Sequence, residues 1–186
     1  MVPVLSLWLP ILLSAVFAFV ASSIIHMVLR YHNNDWKAVP EEDRMMDALR
    51  PFGLAPGEYV MPRCNDMKQM KDPAYIEKLN KGPVVLMSVM PAGPHSMGKS
   101  LFLWFVYCLV VSVFAAYIAG RALGPGVHYL SVFRFAGATA FIGYSLALWQ
   151  ATIWYKRPLA TTLKANLDGL IYALLTAGTF GWLWPR

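Results

Sequence analysis

Four long apolar runs constrain this chain more than any other feature, because each approaches the length that a hydrocarbon core demands. A helix rising about 1.5 Å per residue needs roughly 20 mainly apolar residues to cross a bilayer. Val4 to Leu29, Leu101 to Gly120 and Tyr129 to Trp154 meet that length, the third despite Arg134, and Gly169 to Trp184 is the shortest. The expected fold is a membrane all-α protein, a four-helix transmembrane bundle. Residues 1–30 supply helix 1, 31–100 a small α+β cytoplasmic loop module, and 101–186 helices 2–4 (about 101–120, 129–154 and 169–184). Composition agrees, since 14% of residues are charged where soluble domains carry about a quarter. The first run has no positive n-region and is longer than the roughly 7–15 residues of a signal-peptide core, so a retained anchor is expected.

Lysine and arginine positions orient the runs. Ten of the sixteen lie between Arg30 and Ser100, and Lys156, Arg157 and Lys164 occupy the link before the fourth run. The positive-inside rule places both segments in the cytoplasm and both termini on the periplasmic side. No N-x-[ST] acceptor occurs, which fits a bacterial inner membrane. Trp8, Trp182 and Trp184 fall at the expected outer ends of the runs, and Trp36, Trp104, Trp149 and Trp154 near the inner ends, where indoles prefer the headgroup level. Each run also has small residues four apart: Ser14, Ala18 and Ser22; Ser112, Ala116 and Gly120; Ala136 with Ala140, and Thr139 with Gly143; Ala173, Ala177 and Gly181. Such ridges let helix backbones approach closely in lipid.

Within the loop, Pro40 and the acidic residues Glu41 to Asp43 read as a helix start, and Arg50-Pro51 as its stop. Asp72-Pro73 reads as an N-cap with proline at the first helical position, the helix running to about Asn80 with Gly82 beyond. Glu58 to Met61 and Val84 to Met90 read as strands. Two strands alone are marginal, so this module is expected to lean on the bundle or on a partner.

Several patterns suggest chemistry. Gly93 to Ser100 matches G-x-x-x-x-G-K-[ST], the phosphate-cradling loop. No Walker-B aspartate follows, and too little soluble chain remains for a doubly wound sheet. The favoured reading is a turn entering a membrane helix, with Gly98, Lys99 and Ser100 as an anion or lipid contact. Arg134 is a second such contact, able to snorkel to the headgroups. Met61, Cys64, Met67 and Met70 recur every three residues, which on a helix would gather soft ligands for Cu(I) on one side; packing is the favoured alternative. His26, His32 and His95 are cofactor-binding candidates, His26 and His32 lying near the inner end of the first run with Asp35 just beyond. A bis-histidine haem needs two imidazoles facing each other at one depth, and His95 is the expected partner for either. The two cysteines, Cys64 and Cys108, fall in different environments, so no disulfide is expected.

No carboxylate lies inside a run, no reactive cysteine pair exists, and no G-x-S-x-G elbow occurs, which removes carboxylate-driven pumps, disulfide oxidoreductases and serine hydrolases. The leading expectation is a non-enzymatic accessory, assembly or scaffold subunit of a membrane complex, needing no cofactor. Its partners would be membrane lipids and other membrane subunits or its own copies, with no nucleic acid. Two alternatives stand beside it: a small oligomeric transporter or channel with Arg134, Tyr144, Ser145 and Gln150 lining a polar path, and a haem- or metal-binding redox protein using His26, His32, Cys64 and the nearby methionines.

Overall fold

The computed structural model describes all 186 residues, and they form two compact units, one of residues 1–36 and 96–186 and the other of residues 37–95. The first unit is helical. Its long elements are α1 (Trp8–Ile24), α4 (Met97–Ala122), α5 (Tyr129–Ser145), the short α6 (Trp149–Tyr155) and α7 (Leu159–Trp182). The second unit holds α2 (Glu42–Leu49), β1 (Gly57–Met61), α3 (Pro73–Lys81) and β2 (Val85–Val89).

Three segments are long and apolar enough to cross a membrane: Val4–Leu29, Met97–Ala122 and Tyr129–Tyr155. The fourth expected span does not meet that standard. At 24 residues α7 is long enough, about 36 Å at helical rise, but it is too polar on average. Its buried face carries Thr161, Thr162, Asp168, Thr176 and Thr179, while Leu159, Leu163, Leu167, Leu170 and Leu174 face outward. The hydroxyls of Thr176 and Thr179 donate to the carbonyls of Tyr172 and Leu175, one turn back, at 2.9 and 2.7 Å. Lys164, Asn166 and Asp168, which lower the hydropathy most, are likewise buried or half-buried and bonded within the protein.

α7 packs against α5 and α1, and α4 packs against both α1 and α5. Small residues make these approaches close, as the four-residue ridges lead one to expect. Ser14, Ala18, Ser112, Ala116, Gly120, Ala136, Ala140, Ala173 and Ala177 are all buried. One buried cluster gathers Leu7, Ala116, Ala119, Val132, Phe180 and Trp184. The other gathers Ala15, Ala18, Ile25, Cys108, Tyr144 and Tyr172 toward the opposite end. Both chain ends close on the first cluster: the Val2 amide donates to the Gly120 carbonyl at 2.7 Å, and the Gly126 amide to the Pro185 carbonyl at 2.9 Å. Two tryptophans expected at headgroup levels also pack against the helical unit. Trp184 is buried and donates to the Gly124 carbonyl at 2.9 Å, and Trp104 stacks on Tyr107.

The loop unit follows its local signals closely. Asp72 caps α3 by accepting from the Ala74 amide at 2.9 Å, Pro73 opens the helix, and Gly82 ends it at φ 58°. β1 and β2 pair antiparallel, with Tyr59 opposite Met87. No residue of this unit is fully buried. The methionine–cysteine row does not lie on one helix. Met61 ends β1, Cys64 donates to the Asp66 carbonyl at 2.9 Å, and Met70 sits in a 3-10 turn. Proline at 62 and the capping turns around Asp66 break any continuous helical face there.

A Cβ built on Gly137 would stand 2.9 Å from the Ala177 Cβ across the α5–α7 contact, whereas one on Gly124 meets nothing within 4 Å. We predict that Gly137→Leu destabilises the protein by about 1–3 kcal/mol through overpacking, while Gly124→Ala leaves it unchanged. Thermal unfolding in detergent checks this, and equal melting temperatures would count against the packing described.

Candidate functional site

The site begins with a departure from regular helix at the end of α1. Residues Ile25–Leu29 form a π turn, and Arg30 follows in the left-handed region at φ 52°. π turns recur at functional sites. On an unbroken α-helix, residues six apart are about 240° apart around the axis, so His26 and His32 would face different ways. The π turn and the reversal at Arg30 bring their rings into a parallel stack, with centroids 4.8 Å apart and planes 2° from parallel.

Each ring is fixed by a hydrogen bond at Nδ1. That of His26 lies 2.9 Å from the Ser22 carbonyl oxygen. A carbonyl can only accept, so Nδ1 carries the proton and Nε2 presents a lone pair. The Nδ1 of His32 lies 2.6 Å from Asp35 Oδ2. Asp35 is in turn held by Lys164, whose Nζ donates to Oδ1 at 2.7 Å and to the Tyr31 carbonyl at 2.8 Å. Burial alone would raise the Asp35 pKa, but the hydrogen bonds and charges of Lys164 and His32 outweigh it and hold the carboxyl below its usual range. Asp35 is therefore a carboxylate that accepts from His32 Nδ1–H.

Asp168 completes the cluster from α7, one residue before the apolar stretch that begins at Gly169. Its Oδ2 lies 2.8 Å from His32 Nε2, and the Tyr31 hydroxyl donates to Oδ1. His32 thus lies between two carboxylates, Asp35 at Nδ1 and Asp168 at Nε2.

One ligand atom from each of His26, His32 and Asp168 lies within 4.8 Å of the others. A tetrahedral ion with bonds of about 2.1 Å needs its ligands about 3.4 Å apart, so binding requires at least one ring to tilt out of the parallel stack and the three atoms to draw together. Two imidazoles and a carboxylate suit a divalent first-row ion, and each imidazole already donates its other N–H to a carbonyl or a carboxylate, as metal-bound histidines do. The three atoms border a cleft of about 450 Å³, also lined by Asn33, Asp35, Trp36, Arg157 and Ala165. α6 is pinned beside α7 by Thr152 to Thr162 (2.6 Å) and by Trp149 Nε1 donating to Asn166 Oδ1 (3.1 Å), which places Arg157 at the cleft.

The other sequence candidates lie elsewhere. His95, Met61, Cys64, Met67 and Met70 belong to the loop unit. Gly98, Lys99 and Ser100 form the exposed first turn of α4, where Ser96 Oγ accepts from the Lys99 amide at 3.4 Å. Arg134 is exposed on α5. Of the four residues proposed to line a polar path, Tyr144 and Ser145 are buried while Arg134 and Gln150 are exposed. Sequence reasoning missed Asp168, Lys164 and Tyr31 as site residues. The available signal was Lys164 and Asp168 four apart on a helix entering an apolar run, a polar stripe aimed at one neighbour.

Compared with protein-family models, with curated proteins and with solved structures, the chain shows no match.

Replacing Lys164 by methionine leaves Asp35, 6% exposed at its side chain, without its cation. We predict a loss of roughly 1–3 kcal/mol, the cost of an under-satisfied buried polar group. Amide exchange should rise at residues 31–36 and stay unchanged in α4. Unchanged exchange at 31–36 would show that Lys164 does not hold this turn.

Proposed function

We propose that this chain is an integral membrane protein that holds one divalent transition-metal ion at the mouth of its helices through His26, His32 and Asp168. The observation that carries the reading is the convergence of three ligand atoms, from α1, the turn after it and α7, each on a side chain already oriented by another group. The ion would sit where His32 Nε2 and Asp168 Oδ2 now meet at 2.8 Å. Asp35 then serves as the carboxylate behind His32, and the Ser22 carbonyl fixes the His26 tautomer. Three protein ligands facing a cleft leave further coordination positions free, as reactive zinc and non-haem iron sites do. A haem fits less well, because it needs the two imidazoles on opposite sides of one iron, whereas His26 and His32 lie on the same side, 4.8 Å apart.

In this reading α7 is the fourth span, so the protein is a four-helix transmembrane bundle. Its outward leucine row meets lipid, and its polar face is spent on internal contacts. The lysine and arginine distribution puts the loop unit and the metal site on the cytoplasmic side of a bacterial inner membrane.

A second reading, an accessory subunit of a larger complex, is favoured by the loop unit. Its 59 residues (37–95) contain no fully buried side chain, and a two-stranded sheet is marginal alone. A partner bound there is compatible with a metal at the other unit. Native mass spectrometry from lipid nanodiscs distinguishes a fixed-stoichiometry partner from a lone chain.

For the metal, we predict about one equivalent of zinc or iron per chain when the full-length protein is purified without chelators. His26→Ala and His32→Ala should purify without it and rebind only at high metal concentration, and Asp35→Asn should weaken affinity about 10- to 100-fold. Elemental analysis and cobalt titration make the measurement. Wild-type protein that takes up neither native metal nor cobalt would overturn the assignment.

A further inference from the structure

Arg157 is half-buried and lines the same cleft as the three ligands. Yet none of the five ion pairs in the structure includes it, although Asp35 and Asp168 border that cleft too. An arginine that lines a cleft, with no carboxylate of its own chain, has a fork of donors left for something else. Asn33 adds an amide and Trp36, 88% exposed, an indole at the rim.

The charges point to an anion. A divalent cation on two neutral imidazoles and one carboxylate keeps a net charge of +1, and Arg157 adds a second positive charge across the cleft. A ligand with oxygens on one tetrahedral centre can place one oxygen on the metal and two on the guanidinium fork, which is the geometry of a phosphate group. A cleft of about 450 Å³ is of the size that accepts a small molecule or a headgroup.

We propose that the cleft binds a phosphate group, bridging the metal and Arg157, with Asn33 donating to a remaining oxygen. This rests on the metal assignment above. Two sources share the chemistry: free phosphate from the aqueous side, and the phosphomonoester headgroup of a lipid, which the exposed Trp36 and the position at the mouth of the spans would both accommodate. The ligand is held in either case by the same three elements, since the helix ends supply the metal and the α6–α7 link supplies the guanidinium.

The test uses full-length protein in phosphatidylcholine nanodiscs, loaded with cobalt and followed by its visible absorption. Inorganic phosphate is titrated into one sample, and nanodiscs containing phosphatidic acid are used for the other. The proposal expects a change in the cobalt spectrum with at least one of these ligands. It also expects Arg157→Ala to weaken that binding by about 10- to 100-fold, the usual size of a lost charge-assisted contact, while cobalt affinity stays within about twofold. Arg157→Lys should restore part of the loss, because charge returns without the fork. A response to phosphatidic acid that also blocks inorganic phosphate assigns the lipid headgroup, and a response to inorganic phosphate alone assigns the free anion. Cobalt that binds while neither ligand alters its spectrum, or Arg157→Ala protein that binds phosphate as tightly as wild type, overturns the phosphate site and leaves the metal site standing. Failure to bind cobalt at all removes both.

Discussion

His32 is gripped on both sides, by Asp35 at 2.6 Å and by Asp168 at 2.8 Å, and that grip joins the turn after α1 to the start of α7. The turn's one apolar anchor is Tyr31, which packs against the buried cluster that includes Ile25 and Tyr172. Lys164 and Asp168 reach Tyr31, His32 and Asp35 from α7 and fix the polar part of the turn. The left-handed backbone at Arg30 carries a conformational cost of order 1–3 kcal/mol for a non-glycine residue. Contacts of charged groups, each worth about 1.5–3 kcal/mol, are large enough to offset it.

Placing charge at the end of an apolar bundle is costly unless every group is paired. Here the pairing is nearly complete: Lys164 faces Asp35, Asp35 faces His32, and His32 and Tyr31 face Asp168. Deeper in the same end of the helical unit the accounting is looser. The hydroxyls of Tyr144 and Tyr172 and the indole N–H of Trp104 are buried without a partner, while their rings pack against one another at 5.4 to 6.2 Å. Aromatic packing fills this layer, and the small residues around it set how closely the helices come. The bundle thus grades from polar and charge-paired at the cleft to small and apolar at the chain termini.

Much of this was legible in the sequence where local rules decide. Asp72-Pro73 and Gly82 mark α3 because capping and proline geometry act over a few residues, and both strands fell within a residue of their expected bounds. Three spans are plain because their mean hydropathy stays high along a long enough stretch. α7 is the instructive exception. Hydropathy averages over a helix, so Lys164, Asn166 and Asp168, whose partners lie inside the protein, count against it as though they faced lipid. The site was half legible. His26, His32 and Asp35 lie within ten residues and were in view, but helical periodicity separates the two histidines, and no local pattern announces a π turn. Asp168, which completes the set, is 136 residues from His32, and only the packing of α7 against α1 brings it there. Met61, Cys64, Met67 and Met70 illustrate the converse, a regular spacing that implied a shared face until proline and capping turns broke the helix it required.

The central claim is that two histidines and one carboxylate from opposite ends of the chain form a single metal centre. X-ray absorption at the metal edge of the zinc- or iron-loaded protein in nanodiscs tests it most directly. Two imidazole scatterers and one or more oxygens at about 2.0–2.2 Å, falling to one imidazole in a His26→Ala protein reloaded at high metal, is the predicted result. A first shell containing sulfur, or one unchanged by loss of His26, would contradict it.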